Sequence, residues 1–182
     1  MFEGLARFNA ERKALPPLRI GIGLNTGPLL LGTIGGMQRL AAGVVSDAVN
    51  LASRIEGMTK MYGAAVLLSE STVARLRNPE RFEIRFLDRV IAAGRADPVS
   101  IYEVCAADPE PMRSQKRRSA APFAAGVAHY ARGDFASASE SFRESLGNCA
   151  EDSAAMLYVD RCAAENPRFE DGWTGITRLS SK

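Results

Sequence analysis

The segment from Gly43 to Gly57, GVVSDAVNLASRIEG, constrains the chain more than any other. Val44 and Val45 form an apolar strand end. Ser46 and Asp47 follow, and either side chain can accept a hydrogen bond from a free N–H at a helix start. Val49, Ala52, Ile55 and Met58 then recur at three-residue spacing as the apolar stripe of a helix. Asn50 and Arg54 stand four apart, one turn above the other, on a face that is not the stripe. An amide and a guanidinium near a helix start suit an anion. The free N–H groups and the helix dipole favour negative charge, and the planar fork of Arg matches phosphate oxygens. The same spacing also describes a solvated helix face, and the pattern alone leaves both readings open.

Around this segment the chain reads as an α/β (α+β) mixture. Residues 1–14 keep helical spacing and stop at Pro16-Pro17. Leu18 to Leu24 alternates as a strand, with glycines that permit close approach, and Asn25-Thr26-Gly27 is a turn signal. Pro28 to Leu31 reads as a second strand, Gly35-Gly36 as a turn, and Met37 to Val45 leads back into the central helix, which ends at Tyr62-Gly63. Ala64 to Leu68 is a short buried strand, and Ser69 begins a helix that runs to about Leu76, before Pro79. Phe82 to Ile91 and Val99 to Val104 read as an antiparallel pair joined tightly at Ala93-Gly94-Arg95.

Beyond this the composition shifts. Residues 108–122 carry prolines, serines and the basic cluster Arg113, Lys116, Arg117 and Arg118, which reads as a solvated linker. Residues 123–182 read as a tetratricopeptide-like helical hairpin carried by Gly126, Tyr130, Gly133-Asp134-Phe135, Ala138, Phe142 and Leu146, with a further helix over Asp152 to Ala164. One such repeat cannot bury its own faces. It is therefore expected to lean on the rest of the chain or on a partner.

Three widely spaced cysteines, Cys105, Cys149 and Cys162, form no C-x-x-C and point to reduced thiols rather than a disulfide framework or zinc site. A single histidine, His129, argues against a multi-histidine metal centre. A net charge of +2 selects no polyanionic partner such as nucleic acid, and no apolar run approaches the roughly 18 residues of a membrane span.

The runs RIGIGLNTGPLLLGTIGG, GVVSDAVNLASRIEGMTKMYGAAVLLSEST and FLDRVIAAGRADPVSIYEV together resemble the C-terminal two-thirds of the class III adenylate and guanylate cyclase catalytic domain, from about Phe2 to Val104. The resemblance implies a partial ferredoxin-like cyclase domain over residues 1–107, a linker over 108–122 and the helical tail over 123–182. It implies a reaction in which the ribose 3′-oxygen of ATP or GTP attacks the α-phosphorus and expels pyrophosphate. Asn50 is then expected to orient the ribose, and Arg54 to contact the triphosphate.

In the family the site spans a dimer, homo- or heteromeric, and uses Mg²⁺ or Mn²⁺ held by two aspartates on earlier strands. Those aspartates have no counterpart here, so no metal ligand is assigned, and the chain looks as if it starts mid-domain. Asp47 matches the family's helix-start Asp, whose expected job is capping. Gly43 stands where a purine-reading polar residue is usual, Ala93 where a triphosphate lysine is usual with Arg95 nearby, and Ser46 where Gly is usual. The expectation is a cytoplasmic signalling component that supplies the Asn50/Arg54 helix to a dimeric site and is inactive alone. The alternative is a non-catalytic regulatory or interaction remnant.

Overall fold

The computed structural model describes residues 1–12, 15–34, 41–91, 97–165 and 173–179. Ala93, Gly94, Arg95, Gly35, Gly36, Met37 and Lys182 lie outside the described residues. The architecture is a mixed α+β fold. Helix α1 (Phe2–Glu11) leads to strand β1 (Ile22–Leu24). Strands β2 (Leu30–Ile34) and β3 (Ala41–Val45) form a separate two-stranded antiparallel sheet, and β3 leads into helix α2 (Asp47–Tyr62). Strand β4 (Val66–Ser69), the short helix α3 (Glu70–Val73), β5 (Ile84–Ile91) and β6 (Val99–Val104) follow. Four helices come next: α4 (Glu110–Arg118), α5 (Ala120–Ala131), α6 (Phe135–Asn148) and α7 (Ser153–Glu165). Strand β7 (Thr177–Arg178) is the last of the described elements.

The main sheet has the order β1-β4-β6-β5-β7. Strand β4 runs parallel to β1 and antiparallel to β6, which in turn is antiparallel to β5. The expected β5–β6 pair is thus present, with a register shift between Phe86 and Asp88. Strand β7 was not expected; it adds in parallel to β5 through Val90 and Ile91.

Helix α2 lies on β1, and glycines let it do so. A Cβ at Gly21 would overlap the Thr59 side chain, and one at Gly23 would stand 2.5 Å from the Ala52 carbonyl oxygen. One at Gly27 would come within 2.8 Å of Ala48 Cβ. The buried face of α2 is Leu51, Ile55, Met58, Thr59 and Tyr62. The expected stripe is therefore corrected at its start: Val49 is exposed and Ala52 only half-buried. Ile55 and Met58 are buried as expected.

The expectation of a solvated linker over 108–122 is also corrected. Helix α4 fills much of that stretch, and three of its four basic residues, Arg113, Lys116 and Arg117, meet carboxylates. Lys116, buried, donates to Glu103 of β6 and to Asp108 at 2.7 Å. Arg113 forks onto Glu83 at 2.7 and 2.8 Å, and Arg117 reaches the same carboxylate. Next to them Arg85 bridges Glu103 at 2.6 Å and makes a bidentate pair with Asp152, while its guanidinium covers the Phe123 ring at 4.1 Å. Long cationic side chains that find carboxylates on a folded sheet have reason to leave solvent.

Helices α5 and α6 form the expected hairpin. A Cβ at Gly126 would meet the Phe142 ring at 2.8 Å, and Ala138 is fully buried. Phe123, Phe142 and Tyr158 cluster, with Phe142 and Tyr158 stacked at 4.6 Å. This aromatic group joins Ile55, Leu67, Leu87, Val90 and Ile101 in one core, so the helical segment does lean on the sheet.

Candidate active site

The start of α2 is built by side chains from three other segments. Ser46 is the N-cap: its Oγ accepts from Ala48 N at 3.0 Å and donates to the Pro28 carbonyl at 2.6 Å. Capping thus falls to Ser46, not to Asp47, which is the first helical residue; this corrects the expectation for Asp47. Asn25, read from sequence only as part of a turn, is the hub. Its Nδ2 donates to the Ala48 carbonyl at 3.0 Å, and its Oδ1 accepts from Ser69 Oγ at 2.7 Å and Ser71 Oγ at 3.0 Å. Thr72 completes the ring by capping contact with Ser69 and by hydrogen bonds to Thr26 and the Leu24 carbonyl. One amide therefore ties the β1 exit, the first turn of α2 and the β4–α3 junction together.

A cleft of about 540 Å³ opens against this network, lined by residues that include Asn25, Gly27, Leu30, Ser46, Ala48 and Leu51. Asn50 and Arg54 are on α2 but do not line that cleft. Asn50 is exposed and Arg54 half-buried, and neither side chain has a hydrogen-bond or ion-pair partner among the described residues. Exposed Val49, Leu29 and Leu30 belong to the same end of the helix and the loop it holds. Gly43 sits in β3 opposite Gly32. Asn50 and Arg54 thus stand without partners among the described residues, on a helix seated by Ser46 and Asn25.

Among the described residues, Glu103, Cys105 and Asp108 bring one donor atom each within 4.8 Å of the others. The sequence reading assigned no metal ligand, and this cluster does not supply one. Lys116 binds both carboxylates and Arg85 holds the second oxygen of Glu103, so the charge a divalent ion would take is already neutralised. Burial pushes the Cys105 thiol up to about 12, and burial likewise raises the Asp108 carboxyl. Burial alone would lower Lys116, but Glu103 and Asp108 together outweigh it and the ammonium is held up to about 12. The group is a structural ion network, and the residues present do not fit a metal.

The family sequence model described as Adenylate and Guanylate cyclase catalytic domain matches residues 1–105, from α1 through the end of β6, with α2 at its centre. The chain belongs to the adenylate and guanylate cyclase catalytic domain family. Among its relatives, an adenylate cyclase of Anabaena cylindrica is 42% identical over 111 residues, 57% of this chain and 22% of that one. The terminal-differentiation-specific adenylate cyclase of Dictyostelium discoideum is 31% identical over 143 residues, 78% of this chain and 7% of that one. The chain thus spans less than a quarter of the length of either cyclase. Among solved structures, the adenylyl cyclase CyaB from P. aeruginosa is 27% identical, covering 56% of this chain and 50% of that chain at a TM-score of 0.45. Cyclase domains of this family act on nucleotides with divalent metal. No helix among the described residues is long and apolar enough to cross a membrane.

Proposed function

We propose that this chain contributes the Asn50/Arg54 face to a class III nucleotide cyclase site shared between two chains, and that alone it is inactive. The site would convert ATP, or GTP, to the cyclic nucleotide and pyrophosphate in a cytoplasmic signalling setting. The observation that carries the reading is a pair of polar side chains, without partners among the described residues, one turn apart on a helix fixed from β1, α3 and the β2 approach. Exposed Leu29, Leu30 and Val49 beside them suit burial against a second subunit. In the reaction the ribose 3′-oxygen loses its proton and bonds to the α-phosphorus, while the bond to the pyrophosphate oxygen breaks. Arg54 would place charge-assisted donors on the triphosphate as charge shifts, and Asn50 would hold the ribose so that the oxygen is in line. Inactivity alone is supported by the acidic cluster among the described residues, whose carboxylates are committed to Lys116 and Arg85. The same cluster favours a second reading, a regulatory module that binds a cyclase without turnover. We read α5–α6 as tetratricopeptide-like, with residues 1–107 as the cyclase portion.

The test is complementation. A full-length class III cyclase with its own matching Arg replaced by Ala is mixed with this chain. Wild-type chain should restore cyclic-nucleotide formation, and Arg54→Ala should not, while melting at the same temperature as wild type. Complex formation without rescue would select the regulatory reading. Equal rescue by both chains would reduce Asn50 and Arg54 to solvated surface.

A further inference from the structure

The far end of α2 meets a buried carboxylate that is itself held by groups outside residues 1–105. Tyr62, the last residue of the helix and 2% exposed, donates its hydroxyl to Asp88 Oδ2 at 2.6 Å. The same oxygen accepts from Arg161 of α7 at 2.7 Å and from Thr177 Oγ1 of β7 at 2.8 Å. The Arg161 guanidinium also lies 5.7 Å from the Tyr62 ring centroid. Immediately after, Gly63 turns left-handed at φ 63°, and a Cβ there would overlap Ser153, the first residue of α7. One buried carboxylate oxygen therefore receives donors from α2, α7 and β7. If α2 moves off, the buried Tyr62 hydroxyl loses Asp88, its acceptor.

We propose that this junction makes the C-terminal helices a seating device for the Asn50/Arg54 face, with Asp88 and Arg161 as positioning residues. The catalytic half of the inference rests on the cyclase reading; the seating half does not. A helix of 16 residues is about 24 Å long. It is pinned at one end by Ser46 and Asn25 and at the other by Asp88. Releasing the second pin and letting Tyr62 drift by about 1 Å moves Arg54, midway along, by about 0.5 Å. Because a misplacement of about 1 Å can cost on the order of a hundredfold in rate, half of it should cost about tenfold. Anything that shifts α7, a bound partner included, would then tune the face.

The experiment uses the full chain and three variants: Tyr62→Phe, which keeps the ring and removes only the hydroxyl, Asp88→Asn, and Arg161→Lys as the conservative control. Amide hydrogen exchange is measured on each chain alone, and kcat and KM on each in the complementation mixture. Tyr62→Phe and Asp88→Asn should speed exchange in the last turn of α2 by tenfold or more while α5 and α6 stay protected. They should lower kcat about tenfold with KM within about twofold, and Arg161→Lys should keep most of the wild-type kcat and α2 protection. Unchanged α2 exchange in both variants overturns the seating role whatever the activity. So does acceleration spread evenly over every element, which would make the junction general support. Faster α2 exchange with full kcat overturns the positioning role. If the wild-type mixture is inactive, the cyclase reading fails, and exchange alone decides the seating.

Discussion

Replacing Gly23 by Ala should unseat α2 from the sheet. The added methyl would lie 2.5 Å from the Ala52 carbonyl oxygen and 2.7 Å from Glu56 Cα, with Glu56 N closer still. Comfortable separations between such atoms are about 3.5–4.0 Å. All three obstacles are backbone, so no rotamer change relieves them, and the helix must lift by about 1 Å. Overpacking costs about 1–3 kcal/mol, and a rigid obstacle places this case near 3 kcal/mol. In a chain of this size each kcal/mol moves the melting temperature by about 2–4 °C, so Gly23→Ala should melt about 6–12 °C lower. The control is the same substitution on α2 itself. A Cβ at Gly57 meets nothing within 4 Å, and Ala there should gain about 0.5–1 kcal/mol of helix preference, raising the midpoint by about 1–4 °C. Both variants are melted by circular dichroism at matched concentration. A Gly23→Ala midpoint within about 2 °C of wild type, or a shift of the same sign in both, refutes the claim that α2 sits against the β1 backbone.

Ile55→Ala should cost about 2–5 kcal/mol, since Ile55 is fully buried, whereas Arg54→Ala should change stability by less than about 0.5 kcal/mol; urea titrations of the two separate fold from site. Lys116→Met should destabilise the chain by about 3 kcal/mol because Glu103 and Asp108 lose a buried partner, read as a lower denaturation midpoint at unchanged slope. Acid should weaken the fold below about pH 4.5. The Arg113 hydrogen bonds hold the Glu83 carboxyl down at about 2; burial would raise Asp152, but Arg85 outweighs it and keeps that carboxyl low as well. Carboxyls depressed on folding contribute stability above their unfolded values and lose it as pH falls toward the folded ones, while Asp108, raised by burial, opposes the trend weakly. Melts from pH 6 to pH 3 should show the loss, smaller in Glu83→Gln.

The central helix is legible because its signals are local: a serine cap, two apolar strand residues before it and a glycine after it. The phase of its buried face is less so. Steps of three residues fall about 60° behind per step, so a stripe drawn through Val49, Ala52, Ile55 and Met58 drifts round the helix. The true face alternates steps of four and three, as in Leu51, Ile55, Met58 and Tyr62. The glycines at 21 and 23 announce close approach, but not that α2 is what approaches, and Gly27 reads only as a turn residue. Asn25 looks like any turn residue, since its partners Ala48, Ser69 and Ser71 are distant in sequence. The basic run after Asp108 reads as solvated because Glu83, Glu103 and Asp152, which draw its neighbourhood inward, belong to other elements. The Asn50/Arg54 pair was visible from spacing and resemblance, and the structure supplies its surroundings.

Strand β7 has a consequence for how the molecule is made. The outer edge of β5 is finished by Thr177 and Arg178, residues translated long after Val90 and Ile91. At roughly 5–20 residues per second a ribosome leaves that edge without its partner for several seconds. During that time a strand that ends up with Leu87 and Val90 fully buried has free N–H and C=O groups along one side. The nascent chain therefore passes through a window in which it can recruit a stray strand from a neighbour. Slowing synthesis late in the message should raise the aggregated fraction, and crowded expression should do the same.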